Sequence, residues 1–101
     1  MIRVGICDDR QEDIRFLLQY AGQFSDGHPE FPLKTEAFVS PLDILQAVEE
    51  RGGYDVYLLD ILMPHVSGID VARKVRERGE KAEILFLTTS REYAVEAFGV
   101  K

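Results

Sequence analysis

The sequence is short of several things, and each shortage removes a class of function. It has one cysteine, Cys7, so no internal disulfide can form and the chain suits a reducing compartment. Cys7 lies in the apolar run IRVGIC, where a small buried hydrophobe is expected rather than a reactive thiol. Basic residues number 12 against 18 acidic ones, for a formal net charge of -6. Nucleic acids and anionic membranes select basic patches, so neither is expected as a partner of this chain. The densest basic stretch, ARKVRERGEK, alternates with acids at helical spacing and reads as a solvated helix face. No apolar run is long enough to cross a bilayer. Acids arrive at Asp8 before the apolar segment of a signal peptide could form, so a cytoplasmic location is expected. Internal repeats, low-complexity tracts and hairpin signals are missing. A glycine-rich phosphate loop after the first apolar run is missing too, which disfavours nucleotide or flavin binding.

What is present is regular. A chain of 101 residues with 46% hydrophobic content makes one domain with a modest core. Short apolar runs alternate with amphipathic stretches. Ile2–Cys7 reads as a buried strand. Ile14, Leu17, Leu18, Ala21 and Phe24 then recur at helical spacing over about Gln11 to Phe24. Leu33–Val39 is a second strand, whose Lys34 and Glu36 suggest a sheet edge. Ser40, Pro41 and Asp43 open a second helix that stops at Gly52–Gly53. Asp55–Asp60 is the third strand. Ser67 with Asp70 forms a capping box for a third helix ending near Gly79. Glu83–Thr88 is the fourth strand, and a fourth helix is expected over about Ser90 to Phe98. Such alternation means right-handed βαβ units and a parallel sheet with helices on both faces, an α/β domain.

In sheets of this kind, sites form beyond the carboxyl ends of the strands. The first strand ends at Asp8 and Asp9, the third at Asp60 and the fourth at Thr88. If the first and third strands are neighbours, three carboxylates meet in one small pocket, where like charges raise one another's pKa values. A hard divalent cation such as Mg²⁺ resolves that conflict, since the ligands are all oxygen and no Cys or His stands at metal spacing. With so few carboxylates Mg²⁺ keeps room for a phosphate oxygen, which points to phosphoryl chemistry. Singly, these residues have plainer readings: Asp9 with Glu12 is spaced as a capping box, Asp60 is a turn former, and Glu12 and Asp13 complement a helix dipole. Thr89 with Glu92 is also spaced as a capping box, and His28 and His65 read as solvated loop residues. Independent caps, however, do not predict three acids on one edge.

In order and spacing, ICDD, LLDILMPHVSGID and ILFLTTS resemble the receiver domain of two-component response regulators, over nearly the whole chain. The Asp-x-x-Met-Pro-x-x-x-Gly pattern at Asp60, Met63, Pro64 and Gly68 is the most specific part. The tail REYAVEAFGV looks most like receivers that precede LytTR-type DNA-binding domains. The resemblance implies a flavodoxin-like sheet in the order 2-1-3-4, with a fifth strand outside it. It implies that Asp60 is the phosphoacceptor, taking a phosphoryl group from a sensor histidine kinase. Asp8, Asp9 and Asp60 would hold Mg²⁺ together with the backbone carbonyl of Leu62. Thr88 would hydrogen-bond the phosphoryl oxygens and pass on the signal, and the output, transcriptional in kind, would lie outside this chain. Pro64 would end the strand and Gly68 relax the turn into the third helix.

Three departures from the family pattern carry expectations. Leu62 is apolar and offers an attacking water no help, so self-dephosphorylation should be slow. Thr89 stands where a small residue is usual and narrows access to Asp60. The chain stops at Lys101, before the family's fifth strand, last helix and phosphoryl-binding lysine, so residues 1–101 are expected to form one C-terminally incomplete receiver domain. That leaves the fourth strand as an apolar edge through which two copies could pair. Two other readings compete: a pseudo-receiver that binds partners without phosphorylation, and a small Mg²⁺-dependent phosphatase with an aspartyl nucleophile. The phosphatases place their acids as Asp-x-Asp on the first strand, whereas Asp8 and Asp9 are adjacent.

Overall fold

The structure is a computed structural model and describes residues 1–63 and 66–87. Thr88, Thr89, Pro64, His65, Lys101 and the expected fourth helix lie outside the described residues. Within them the chain runs β1 (Ile2–Cys7), α1 (Gln11–Gly27), β2 (Leu33–Phe38), α2 (Pro41–Arg51), β3 (Val56–Asp60), α3 (Gly68–Glu77) and β4 (Glu83–Leu87). The four strands form one parallel sheet in the order β2-β1-β3-β4. This is the flavodoxin-like order, and it puts β2 at an edge as its alternating Lys34 and Glu36 require.

The two faces of the sheet follow the period-two alternation of the strands. Cys7, Tyr57 and Leu59 point to one face, where Ile44 and Val48 of α2 and Ile69, Val71, Ala72 and Val75 of α3 close the larger core. Val4 and Ile6 point to the other, where α1 contributes Ile14, with Leu17, Ala37 and Leu58 half-buried around it. The lone thiol of Cys7 is fully buried, and burial together with neighbouring acids pushes its pKa up to about 12. It is the inert hydrophobe its position suggests.

Helix boundaries show where local chemistry decides. The expected capping box of α3 is present in both directions: Ser67 Oγ accepts from the Asp70 amide at 3.2 Å, and Asp70 Oδ2 accepts from the Ser67 amide at 3.1 Å. At α2 the Ser40 hydroxyl makes no cap; its carbonyl instead accepts from the amides of Asp43 and Ile44. Gly52, at φ 87°, ends α2 in a backbone region that favours glycine. Helix α1 runs a turn beyond Phe24, to Gly27. Its periodicity also misassigns two residues, since Leu18 and Phe24 are exposed rather than in the core.

Candidate functional site

The acids at the carboxyl end of the sheet are brought together by register. β1 and β3 are hydrogen-bonded neighbours with Cys7 opposite Leu59, so Asp8 and Asp60 are consecutive to a paired rung. Asp9 follows in the connection to α1. One carboxylate oxygen from each of Asp8, Asp9 and Asp60 lies within 4.8 Å of the others. The capping reading of Asp9 fails here. The N-cap of α1 is Arg10, without a side-chain cap, and Asp8 Oδ1 accepts the Arg10 amide at 2.9 Å. That Asx-type turn ties down Asp8 and leaves Asp9 exposed, at the mouth of the cluster.

The three carboxylates differ in access. Asp8 is 2% exposed. Burial raises its pKa from 3.8 to about 6, against the opposing Arg10 amide, and the charges of Asp60 and Asp13 add to the rise. Asp60 is half-buried. Its pKa is raised by burial, with Asp9 and Asp13 contributing, while the Leu62 amide, donating to Oδ1 at 3.2 Å, pulls it down. Asp13 therefore does more than complement a helix dipole; it deepens the negative potential over the pocket. Carboxylates that resist ionisation together form an oxygen cage with a deficit of positive charge. A hard divalent cation fits that donor set, since charge neutralisation and close all-oxygen coordination are what such ions supply.

The segment after Asp60 is fastened on two sides. The Cys7 thiol lies 3.5 Å from the Met63 sulfur, joining the loop to the end of β1. The Gly68 amide donates to the Ile61 carbonyl at 3.2 Å. Gly68 does not relax a turn, as its position alone suggests, because its φ is not positive. Its role is steric: a Cβ there would fall inside the contact radius of the Asp60 carbonyl oxygen. Only glycine lets α3 start against the backbone of the residue at the strand tip. Leu62 is exposed beside Asp60. The expected fourth contributor, Thr88, lies outside the described residues; β4 delivers Leu87 opposite Asp60.

Comparison with known proteins agrees with this geometry. The family profile described as "Response regulator receiver domain" matches residues 4–101. "Transcriptional regulatory protein NatR" of Bacillus subtilis is 31% identical over 98 residues, covering 97% of this chain and 40% of that protein. "Transcriptional regulatory protein BtsR" of Salmonella typhi is 33% identical over 101 residues, covering 97% and 38%. The chain thus spans about two fifths of the length of these curated relatives. Among solved structures, the response regulator TrrA of Thermotoga maritima, in complex with Mg²⁺-BeF, aligns with a TM-score of 0.73 at 28% identity, over 99% of this chain and 81% of that one. The chemotaxis protein CheY4 of Vibrio cholerae aligns with a TM-score of 0.73 at 25% identity, over 99% and 80%. Profile, relatives and sheet order agree: this chain belongs to the response regulator receiver domain family, signalling modules of two-component systems.

Proposed function

We propose that this domain accepts a phosphoryl group on Asp60 from the phosphohistidine of a sensor kinase. The observation that carries the reading is the convergence of Asp8, Asp9 and Asp60 within 4.8 Å at one strand edge, with Asp60 accessible and held by the Leu62 amide. Asp8, Asp9, Asp60 and the Leu62 carbonyl would hold Mg²⁺, which when bound neutralises the carboxylates and the phosphoryl oxygens. In the transfer, an Asp60 carboxylate oxygen attacks phosphorus in line, the P–N bond of the donor breaks, and the imidazole nitrogen leaves with the electron pair. The product is an aspartyl phosphate. The Leu62 amide holds Oδ1, which leaves Oδ2 as the attacking oxygen. Thr88 donates its hydroxyl to the phosphoryl group and couples it to the surface that reads the signal.

The output is transcriptional and lies outside this chain; the names of the relatives and the LytTR-like tail REYAVEAFGV support that reading. Exposed Leu62 supplies no polar group to an attacking water, so the aspartyl phosphate is long-lived. The test is intact mass after incubation with Mg²⁺ and acetyl phosphate. One phosphoryl adduct, abolished in Asp60→Ala and reduced in Thr88→Ala, is expected. An adduct that survives Asp60→Ala, or none in the wild type, overturns the assignment.

A further inference from the structure

The first turn of α1 holds two adjacent acids, Glu12 and Asp13, and their surroundings differ. Glu12 is exposed, while Asp13 is half-buried. Asp13 is the third residue after the N-cap Arg10, the position from which an acid ordinarily reaches back to the N-cap amide. That amide is already taken, since Asp8 Oδ1 accepts it at 2.9 Å. The Asp13 carboxyl lies instead against that of Asp8, close enough for the two to share a hydrogen bond. The turn is pinned in this position. The Ile14 amide donates to the Arg10 carbonyl at 3.2 Å, and the Ile14 side chain is buried in the core of the α1 face.

Asp13 is not one of the three acids whose oxygens lie within 4.8 Å of one another. Its charge nonetheless reaches two of them, adding to the rise in pKa at both Asp8 and Asp60. Among the described residues no ion pair neutralises Asp8, Asp9, Asp13 or Asp60.

We infer, on the cation site proposed above, that Asp13 is an outer carboxylate of that site: it does not touch the ion, but bears on Asp8 and strengthens the hold of the cage on a divalent cation. In the free domain Asp13 is a fourth like charge beside three, and it lowers stability. A divalent ion cuts the charge that Asp13 faces from three negatives to one. The repulsion relaxes on binding, so the ion is held more tightly than by the three acids alone. A unit charge several ångströms from a divalent ion, in surroundings close to water, changes its affinity about three- to tenfold. A purely helical role has the opposite sign in the free domain. An acid that only complements the helix dipole is stabilising, and its removal lowers the melting temperature.

Isothermal titration calorimetry with Mg²⁺ at pH 8, beside thermal unfolding in EDTA, tests the assignment. Asp13→Asn should weaken Mg²⁺ binding about three- to tenfold and raise the melting temperature in EDTA by about 3 °C. Asp13→Glu, which keeps the charge, should bind within about twofold of the wild type, and so should Glu12→Gln. Added salt should close much of the gap between Asp13→Asn and the wild type. Equal Mg²⁺ affinity in those two overturns the role of Asp13 and leaves the cation site in place. So does a lower melting temperature for Asp13→Asn in EDTA, which assigns the residue to the helix alone. An equal loss in Glu12→Gln overturns it as well, by making the effect one of net charge. A loss beyond about 100-fold overturns the outer position and makes Asp13 a direct ligand. A wild type that takes up no Mg²⁺ overturns the cation site itself, and the part of Asp13 with it.

Discussion

The two ends of the sheet are built on opposite principles. At the amino-terminal end, charges and hydroxyls are matched. The Tyr57 hydroxyl accepts the Tyr54 amide at 3.2 Å and donates to Glu80 Oε1 at 2.9 Å. Glu80 also takes the Arg78 guanidinium at 3.1 Å, and its carbonyl accepts from Arg76 at 3.0 Å. Arg3 donates to the Gly53 carbonyl at 2.7 Å and lies over the Tyr54 ring, 5.0 Å from its centroid. A Cβ on Gly53 would meet the Glu80 carboxylate and force it off its present partners. At the carboxyl end, by contrast, Asp8, Asp9 and Asp60 repel one another while Asp8 and Asp60 are fixed by backbone amides. One end matches its charges within the chain, and the other gathers three like charges side by side. Buried polar groups that are fully paired hold a fold together, whereas like charges gathered in a cleft mark a candidate site.

Four measurements would break or sharpen that contrast. The largest effect belongs to Gly68→Ala, which forces a Cβ against the Asp60 carbonyl. It should cost about 3 kcal/mol of stability and lower Mg²⁺ affinity by calorimetry, because the strand tip moves with α3. Unchanged stability and affinity would show that the contact is slack.

Next comes Asp8→Asn, with the opposite sign. The folded pKa of Asp8, about 6, lies above the unfolded value near 3.8, so the native state binds the proton more tightly. The stability contributed by this group is complete below about pH 3.8 and is lost as pH rises through about 6. Without metal at pH 7, the substitution should therefore stabilise the domain by up to about 3 kcal/mol, the equivalent of two pKa units. At pH 3.5 it should change little. Urea titrations in EDTA at both values decide it, and equal effects at the two would rule out electrostatic origin.

At the matched end, Tyr57→Phe removes a hydroxyl that serves both the Tyr54 amide and Glu80, and it should destabilise by about 1–2 kcal/mol. Its effect on phosphorylation by acetyl phosphate should be negligible. The smallest effect is expected at the Arg51–Glu36 ion pair, 2.9 Å apart with the arginine half exposed. Arg51→Ala should cost less than about 0.5 kcal/mol, and even that should fade in high salt.

Much of this organisation is legible in the sequence, and what is not legible is tertiary. Alternating apolar runs and punctuating glycines gave the element order, because period and stop signals are local. The acids of the carboxyl edge could be gathered on paper because parallel topology sends all strand ends to one side. The role of Gly68 could not, since it depends on a backbone 8 residues earlier returning to touch it. Asp9 and Glu12 had the spacing of a capping box, but Asp8 took the Arg10 amide and shifted the start of the helix. Helix α1 misled for another reason. It has apolar residues on two faces, and periodicity alone does not say which one meets the sheet. Ile14 and Leu17 do, and Phe24 stays outside.

The sheet register also fixes when, during synthesis, the pocket can exist. β1 leaves the ribosome before both of its neighbours: Ile2 waits for Leu33, and Val4 for Val56, more than half of these 101 residues away. Contacts so distant in sequence close slowly, because the intervening chain must be ordered first. Asp8 and Asp9 therefore emerge long before Asp60 and spend that interval as ordinary solvated acids with no cage to share. The three-acid cluster arrives with the docking of β3 against β1, before β4 has been made. In a nascent or misfolded copy the three carboxylates stay apart, so their meeting marks a chain whose third strand has reached its place.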